Sequence, residues 1–313
     1  MSAFTRPHVL PLVGAAVLGC ALLLPGACAR SREPRVFGSP EEAVNGLIQA
    51  VKSGKLDEVI AIFGPDGKEL VDSSDPASAR RNQQVFLVAT AERWALEQQG
   101  DNGRVLVIGH EAWPFPVPIV KNGQGWHFDT AAGKEEIIAR RIGRNELAAI
   151  RLCRTYVAAQ RLYAQKGHDG RPAGLFAAAF RSEPGRENGL YWPAGHGQRR
   201  SPLGDLVASA AQDRGRSRQN GAKPSPFHGY YFRILTAQGP DAPGGAMDYL
   251  VDGQLSRGFA LIAWPAQYDV TGVMTFVVSH DGSVREKDLG SDTASAAERT
   301  GAFNPDASWT VTQ

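Results

Sequence analysis

The sequence contains very little cysteine: three residues in a chain of 313. Cys20 and Cys28 lie in an N-terminal segment that has the composition of an export signal. If processing removes or modifies those two, Cys153 is the single remaining thiol. An intramolecular disulfide framework is then excluded.

The chain also lacks an excess of charge of one sign, since its formal net charge is +2. A dedicated nucleic-acid-binding protein would carry a concentrated basic face. The densest basic run, residues 213–223, is rich in glycine and polar residues. We interpret it as a solvated loop, with a phosphate or anionic-lipid contact as the alternative. We predict no nucleic-acid partner.

Long apolar runs are absent beyond residue 28. No later segment approaches the ~18 apolar residues of a membrane-spanning helix. Before that point, Arg6 precedes an apolar stretch from Val9 to Leu24, which is followed by small residues up to Ala29. This order predicts a secretory signal over residues 1–28. We therefore expect an exported protein of the bacterial periplasm or envelope.

Two processing routes fit this signal. The small residues before Cys28 are typical of a lipoprotein signal, although Pro25 stands where such signals usually carry leucine. Cys20 has a better local match, but only a very short apolar region precedes it. Ordinary cleavage after Ala29 is the alternative. We favour acylation of Cys28, which would attach the protein to the membrane by a lipid anchor.

Sequence motifs of common catalytic sites are absent: there is no HExxH, CxxC, Walker loop, GxSxG or properly flanked GxGxxG. His168 and His280 each precede Asp-Gly, which is turn chemistry. The sequence near them offers no further metal ligands. We predict no catalytic residue, no metal site and no cofactor.

Other reactive or aromatic residues have structural interpretations that are simpler than functional ones. Cys153 falls in an apolar helical stripe and is interpreted as a buried small hydrophobe. Asp248, Asp252 and Asp269 lie in glycine-rich loops and are interpreted as solvated turn residues, with a cleft as the alternative. Four tryptophans are assigned to core or rim packing: Trp113, Trp126, Trp192 and Trp264.

The first half of the mature chain has helices followed by strands. A polar linker, 29–37, precedes a helix over 39–54, for which Ser39 is the cap, Pro40 the first helical residue and Glu42 part of a capping box. Further helices are predicted over 55–64 and 76–98. A strand over 104–109 and a hairpin over 115–130 follow, turning at Asn122-Gly123. Pro114, Pro116 and Pro118 would remove donors from a ladder, so we expect the first strand of the hairpin to lie at a sheet edge. We predict an α+β domain over 38–135.

A single long helix is predicted over about 134–165. Its apolar stripe keeps its phase across Gly143, from Ile138 to Tyr163, so we expect it to pass from one domain core into the next. The alternative is two helices, with Asn145 as a new N-cap.

The second domain, 136–313, is predicted to contain this helix and an antiparallel sheet. Short helices are expected over 175–180, 201–212 and from Ser291, and strands over 229–239, 258–266, 272–279 and 283–290. Asp281-Gly282 joins the last two strands.

Several strings resemble a bacterial family of uncharacterised exported proteins, domain of unknown function 2950. They include "WPFPVPIV" (113–120), "RRIGRNELAAI" (140–150), "GLYWP" (189–193), "GYYFRILTAQG" (229–239) and "GFALIAWPAQYDVTGVMTF" (258–276). The resemblance covers nearly all of the mature chain and implies no known activity.

The second half is also similar to the globular head of type IV pilins and pseudopilins, although a whole domain precedes it here. The order of elements in the first half is compatible with a cystatin-like or NTF2-like cone.

One dense polar cluster lies in these strings: Arg140, Arg141, Arg144, Asn145 and Glu146. It is interpreted as a hydrogen-bonded lock between the domains, with an anion or partner site as the alternative.

Our main functional hypothesis is a non-enzymatic binding or assembly module that acts with an envelope protein partner not identified by the sequence. The alternative is a hydrolase or small-ligand-binding enzyme whose site lies in the cone of the first domain.

Overall fold

The computed structural model describes residues 33–71, 76–193, 200–204 and 225–312. The predicted signal and the first four residues of the predicted linker, 29–32, lie outside these residues. So do the basic run 213–223 and all but the first four residues of the helix predicted over 201–212.

The N-terminal part begins with four helices: α1 (Pro40–Ser53), α2 (Leu56–Phe63), α3 (Gly67–Val71) and α4 (Pro76–Glu92). The start of α1 confirms the predicted capping. The hydroxyl of Ser39 accepts a hydrogen bond from the Glu42 backbone amide at 3.1 Å. The Glu42 carboxylate in turn accepts from the Gly38 amide at 2.9 Å. Gly54 ends the helix with a left-handed φ of 70°.

An antiparallel sheet follows, with strands in the order β1-β2-β4-β5 and with β3 also paired to β2. The strands are β1 (Trp94–Gln99), β2 (Gly103–Ile108), β3 (Trp113–Pro114), β4 (Ile119–Asn122) and β5 (Gly125–Phe128). The predicted hairpin is β4–β5, and the Asn122 side chain accepts from the Gln124 amide in its turn. The prediction that the first strand of this hairpin lies at a sheet edge is wrong, because β4 pairs with both β2 and β5. The prolines lie in β3 or between β3 and β4, so they remove no hydrogen-bond donor from β4.

The prediction of a helix over 76–98 is wrong beyond Glu92. Residues 94–99 form β1, whose Trp94 lies opposite Ile108 and whose Gln99 lies opposite Gly103. The run from Trp94 to Gln99 has good helix formers, but pairing with the strongly β-forming β2 across a tight turn outweighs that local preference.

The core of the N-terminal part lies between α1, α2 and the sheet. Its buried members include Val44, Leu47, Ile62, Ile119 and Phe128. Phe37, at the end of the predicted linker, joins this core and exchanges two backbone hydrogen bonds with Trp126.

A single helix, α5 (Thr130–Ala164), continues from this sheet into the second half of the chain. Its 35 residues give a length of about 52 Å, and the predicted continuity through Gly143 is confirmed. We predicted that an apolar stripe runs along the helix from one core to the other, and this prediction is wrong in the middle of the helix. Ile138 and Ile142 are only half-buried and belong to neither core, whereas full burial resumes at Ala148.

The second half contains a five-stranded antiparallel sheet, in the order β14-β13-β12-β11-β6. Its strands are β6 (Tyr230–Leu235), β11 (Ala260–Pro265), β12 (Met274–Ser279), β13 (Arg285–Asp288) and β14 (Thr310–Val311). Two short ribbons pair β7 (Ala237–Gln238) with β8 (Met247–Asp248) and β9 (Leu250–Val251) with β10 (Gln254–Leu255). The predicted hairpin at Asp281-Gly282 is confirmed as the β12–β13 connection.

Both faces of this sheet are covered. On one face, Leu152 and Tyr156 of α5 share a core with Leu261 and Phe276. On the other face, a 3-10 turn (Gly290–Asp292) leads into α6 (Thr293–Arg299), whose Ala297 packs in a second core. All six residues of β11 are buried because helices lie on both sides. The protein is therefore an α+β protein, as predicted.

The short helix predicted over 175–180 is absent. This segment is irregular, and Phe176 forms an isolated bridge with Leu255. The side chain of Gln160 hydrogen-bonds both backbone groups of Ala177. A helix here would need those same backbone groups, so the long-range contact prevents it.

Candidate functional site

A cavity of about 370 Å³ opens among the helices of the N-terminal part. We call it the N-terminal cavity. Its wall is made by α1, α2, α3, α4, the segment after β3 and the first turns of α5. The lining residues are Leu47, Val51, Gly54, Lys55, Leu56, Val59, Phe63, Leu70, Arg80, Asn82, Gln83, Phe86, Phe115, Pro116, Val117 and Ile137. Its volume lies within the range of about 300–1,000 Å³ that is typical of small-ligand sites.

Aromatic rings form one side of the cavity. The Phe86 and Phe115 ring centroids are 5.7 Å apart, and Phe115 lies 6.3 Å from Phe128 behind the wall. Phe128 also meets the Phe63 ring edge-on at 5.3 Å. These contacts fix three of the lining rings through neighbours, so the apolar surface is held in place before any ligand enters.

The polar groups of the cavity are few and lie toward solvent. Gln83 donates its side-chain amide to the Val51 carbonyl at 2.7 Å, which ties α4 to the end of α1. Lys55 and Arg80 are exposed, and Lys55 pairs with Glu58 at 2.8 Å. None of the lining residues that the structure describes is a carboxylate, a histidine, a cysteine, a serine or a tyrosine. The described lining of the cavity is therefore mostly apolar binding surface.

The five residues of the predicted polar cluster lie on consecutive turns of α5. Arg140 contacts the first half of the chain: it donates to the Pro114 carbonyl at 2.7 Å, and its guanidinium lies 5.3 Å from the Trp113 ring centroid. Its Nε also pairs with Glu136 at 2.7 Å.

Asn145 and Glu146 contact the second half. Asn145 donates to the Thr271 carbonyl at 2.8 Å. One Glu146 oxygen accepts from the backbone amides of Val273 and Met274, at 2.9 and 3.0 Å. Residues of this cluster therefore contact both halves of the chain.

Arg141 and Arg144 are exposed, and no hydrogen bond or ion pair joins them to another described residue. The structure thus brings three of the five predicted residues into contacts with other segments. The assignment of the cluster as a lock between domains stays a prediction, as does the division at residue 136.

Burial next to Glu146 changes the titration of its neighbours. Burial raises the pKa of Tyr230 well above its usual range, and the nearby Glu146 charge adds to that effect. The pKa of Glu286 is also raised, first by burial and then by Glu146. Tyr230 donates to the Met274 carbonyl at 2.9 Å, so its hydroxyl is used in holding the same loop.

His168 has a role that the turn pattern did not predict. Asp169 and Gly170 do form the expected turn, with φ of 50° and 76°. The His168 ring, however, is buried, stacks on Tyr163 at 4.0 Å and has both nitrogens 3.0 Å from oxygens of Tyr163 and Glu187. The signal that sequence reasoning lacked is the position of Glu187, which lies in an irregular loop.

Within the described ranges, no group of three His, Cys, Asp or Glu side chains lies together in a way that could hold a metal ion. Cys153 is fully buried, and burial raises the pKa of its thiol to about 12, which confirms the structural interpretation. The aspartates assigned to turns are exposed, and two of them have positive φ: Asp252 and Asp269.

Three of the four tryptophans are buried, and Trp113 lies at a rim under Arg140. Within the part of the chain that the structure describes, no helix is both long enough and apolar enough to cross a membrane.

Comparison with known proteins identifies the family of the chain but assigns it no activity. The chain finds no match among curated proteins or among solved structures. A family model described as "Protein of unknown function (DUF2950)" matches residues 34–312, which is nearly the whole chain. The chain belongs to this family.

Proposed function

We propose that the protein is a non-enzymatic binding module, and that the N-terminal cavity holds a small apolar ligand. The observation that carries this proposal is a preformed cavity of about 370 Å³ whose lining is apolar apart from residues near its mouth. Burial of apolar ligand surface contributes about 25 cal/mol per Å², so such a cavity binds without any reaction. An enzyme would need a nucleophile or an acid–base pair among the lining residues.

A neutral dye tests this proposal. N-phenylnaphthylamine fluoresces strongly in apolar surroundings and carries no charge, so it reports the cavity alone. The double substitution Val51→Phe, Val59→Phe places two larger side chains in the cavity wall. We expect it to weaken dye binding by about tenfold or more, since overfilled apolar sites lose both volume and contact.

The matched control is Val85→Phe, Val88→Phe. Both valines are 61% exposed on α4 and do not line the cavity. This variant should bind the dye as the unsubstituted protein does. Dye binding that is absent in the unsubstituted protein, or equal in both double variants, would overturn the proposal. Circular dichroism and thermal melting establish that each variant is folded.

Export to the bacterial envelope is part of the same proposal and rests on the N-terminal signal. Acylation of Cys28 would hold the cavity next to a membrane, where apolar ligands are concentrated. The intact mass of the mature protein decides between the two routes. A chain that begins at Arg30 without added acyl mass would rule out acylation.

The resemblance of the second half to a pilin head is also kept as a proposal. The packing of α5 against one face of the five-stranded sheet supports it, with the Tyr156 and Phe259 rings meeting edge-on at 5.6 Å. An assembly role would need an envelope protein partner. Crosslinking in intact envelopes followed by co-purification tests for one, and recovery of the protein without any crosslinked partner would count against assembly.

A further inference from the structure

Among the lining residues of the N-terminal cavity that the structure describes, the two charged ones are both cations. Lys55 precedes the first turn of α2, and Arg80 lies on the first half of α4. Both side chains are exposed, so they lie where the cavity meets solvent. The deeper wall, by contrast, is formed by buried apolar residues such as Leu47, Phe63 and Val117.

This arrangement separates the cavity into two chemical zones. A polar group carried into the deep zone would lose its hydration without gaining a hydrogen-bond partner, which is unfavourable. An apolar chain left in the mouth would stay in water. A ligand that satisfies both zones therefore has one apolar part and one charged end.

We infer that the ligand is an anionic amphiphile with a single alkyl chain, which lies in the deep zone while its carboxylate or phosphate meets Lys55 and Arg80. This inference rests on the proposed function. The volume of about 370 Å³ lies at the lower end of the usual ligand-site range, which favours one chain over two. A fatty acid and a lysophospholipid share this chemistry.

Among the described residues, Glu58 is the carboxylate that pairs with a cation of the cavity, so it would compete with such a head group for Lys55. It pairs with Lys55 at 2.8 Å, and that pairing raises the pKa of Lys55 and lowers that of Glu58. Both side chains are well exposed, with 71% and 45% of their surface in solvent. An exposed pair of this kind contributes little, so a ligand anion can share or replace the Glu58 carboxylate. Arg80 has no ion pair with a described residue.

Displacement of N-phenylnaphthylamine by four dodecyl compounds tests the inference. Dodecanoate and dodecyl phosphate are the anions, dodecanol is neutral and dodecyltrimethylammonium is the cation, each used below its micelle-forming concentration. We expect both anions to displace the dye at concentrations about five- to tenfold lower than the cation does, since two exposed charge contacts are worth that much. The ratio between the two anions distinguishes a carboxylate from a phosphate source.

The double variant Lys55→Gln, Arg80→Gln should lose this preference and keep the dye affinity. The control Lys52→Gln, Arg81→Gln removes the same charge from exposed neighbours that do not line the cavity, and it should keep the preference. Equal displacement by anion and cation, or a preference that survives in the first variant, would overturn the inference. The proposed function would still stand in that case, because dye binding is measured separately and its absence is what overturns that function.

Discussion

The side chain of Gln160 and the backbone of Ala177 are joined by two hydrogen bonds in opposite directions. The Gln160 amide nitrogen donates to the Ala177 carbonyl at 2.8 Å, and its oxygen accepts from the Ala177 amide at 2.9 Å. The same nitrogen lies 3.0 Å from the Tyr156 hydroxyl, which donates to the Ala260 carbonyl. Gln160 is fully buried, so water cannot replace these bonds.

The first prediction is that Gln160→Leu destabilises the protein by about 2–4 kcal/mol, because it leaves two buried backbone groups without partners. Urea unfolding followed by circular dichroism measures the change. Gln165→Leu is the matched control, since Gln165 is exposed at the end of the same helix. Equal effects of the two substitutions would show that the buried bonds contribute nothing.

The second prediction concerns two glycines of α5. Gly143 has helical dihedrals, and a methyl group added there meets no atom within 4 Å. Gly143→Ala should therefore stabilise the protein by up to ~1 kcal/mol, or a few degrees in melting temperature. Gly133→Ala should do the opposite, because the new carbon would lie 2.7 Å from a Val117 methyl group. A fall in melting temperature for Gly143→Ala would contradict a continuous unstrained helix.

The third prediction tests the contact between α5 and the loop before β12. Asn145→Ala removes the hydrogen bond to Thr271 and should cost about 1 kcal/mol. It should also speed hydrogen exchange of backbone amides near residues 271–274. Arg144→Ala provides the comparison, since Arg144 is an exposed neighbour that lacks a bond to any described residue. Unchanged exchange in the Asn145 variant would show that the loop is held by other groups.

The fourth prediction is a loss of stability at alkaline pH. Burial, with a smaller effect of the Asp281 charge, raises the pKa of Tyr249 from 10.0 to about 12. In the unfolded chain this phenol ionises near its ordinary value. The contribution of the neutral Tyr249 phenol to the stability of the fold is therefore fully present below about pH 10. It is lost as the pH rises from 10 through 12. Cys153, raised from 9.0 to about 12 by burial, changes in the same direction.

Urea midpoints measured between pH 8 and 12 check this expectation, with tyrosinate absorbance recorded in parallel. Tyr249→Phe should flatten the alkaline part of the curve. It should also lower stability at every pH, because the bond from the Tyr249 hydroxyl to Gln238 is lost. An alkaline slope identical to that of the unsubstituted protein would contradict the role of Tyr249.

Elements specified by neighbouring residues could be predicted from the sequence. The cap at Ser39, the turn after Asn122 and the turn at Asp281 each depend on contacts within a few positions. The continuity of α5 also followed from local periodicity. These features need no information about distant segments.

The errors lie where distant residues decide the structure. Residues 94–99 are a strand because β2 pairs with them, and residues 175–180 are irregular because Gln160 bonds their backbone. The burial of His168 depends on a loop around Glu187 that local patterns do not place. The N-terminal cavity was expected only as a compatible cone. Its charge distribution could not be predicted, because Lys55 and Arg80 lie 25 positions apart and on different helices.

The middle of α5 has a consequence for how the protein unfolds. Residues from about Lys134 to Leu147 are only partly buried, and their helical hydrogen bonds are supported by folded structure at both ends. A helical stretch of about 14 residues without such support is marginal in water. If either sheet opened, the helix would be expected to fray inward from that side, toward Gly143. Unfolding of one half would then reach the other through the backbone of the helix, so both halves should lose hydrogen-exchange protection in a coupled way.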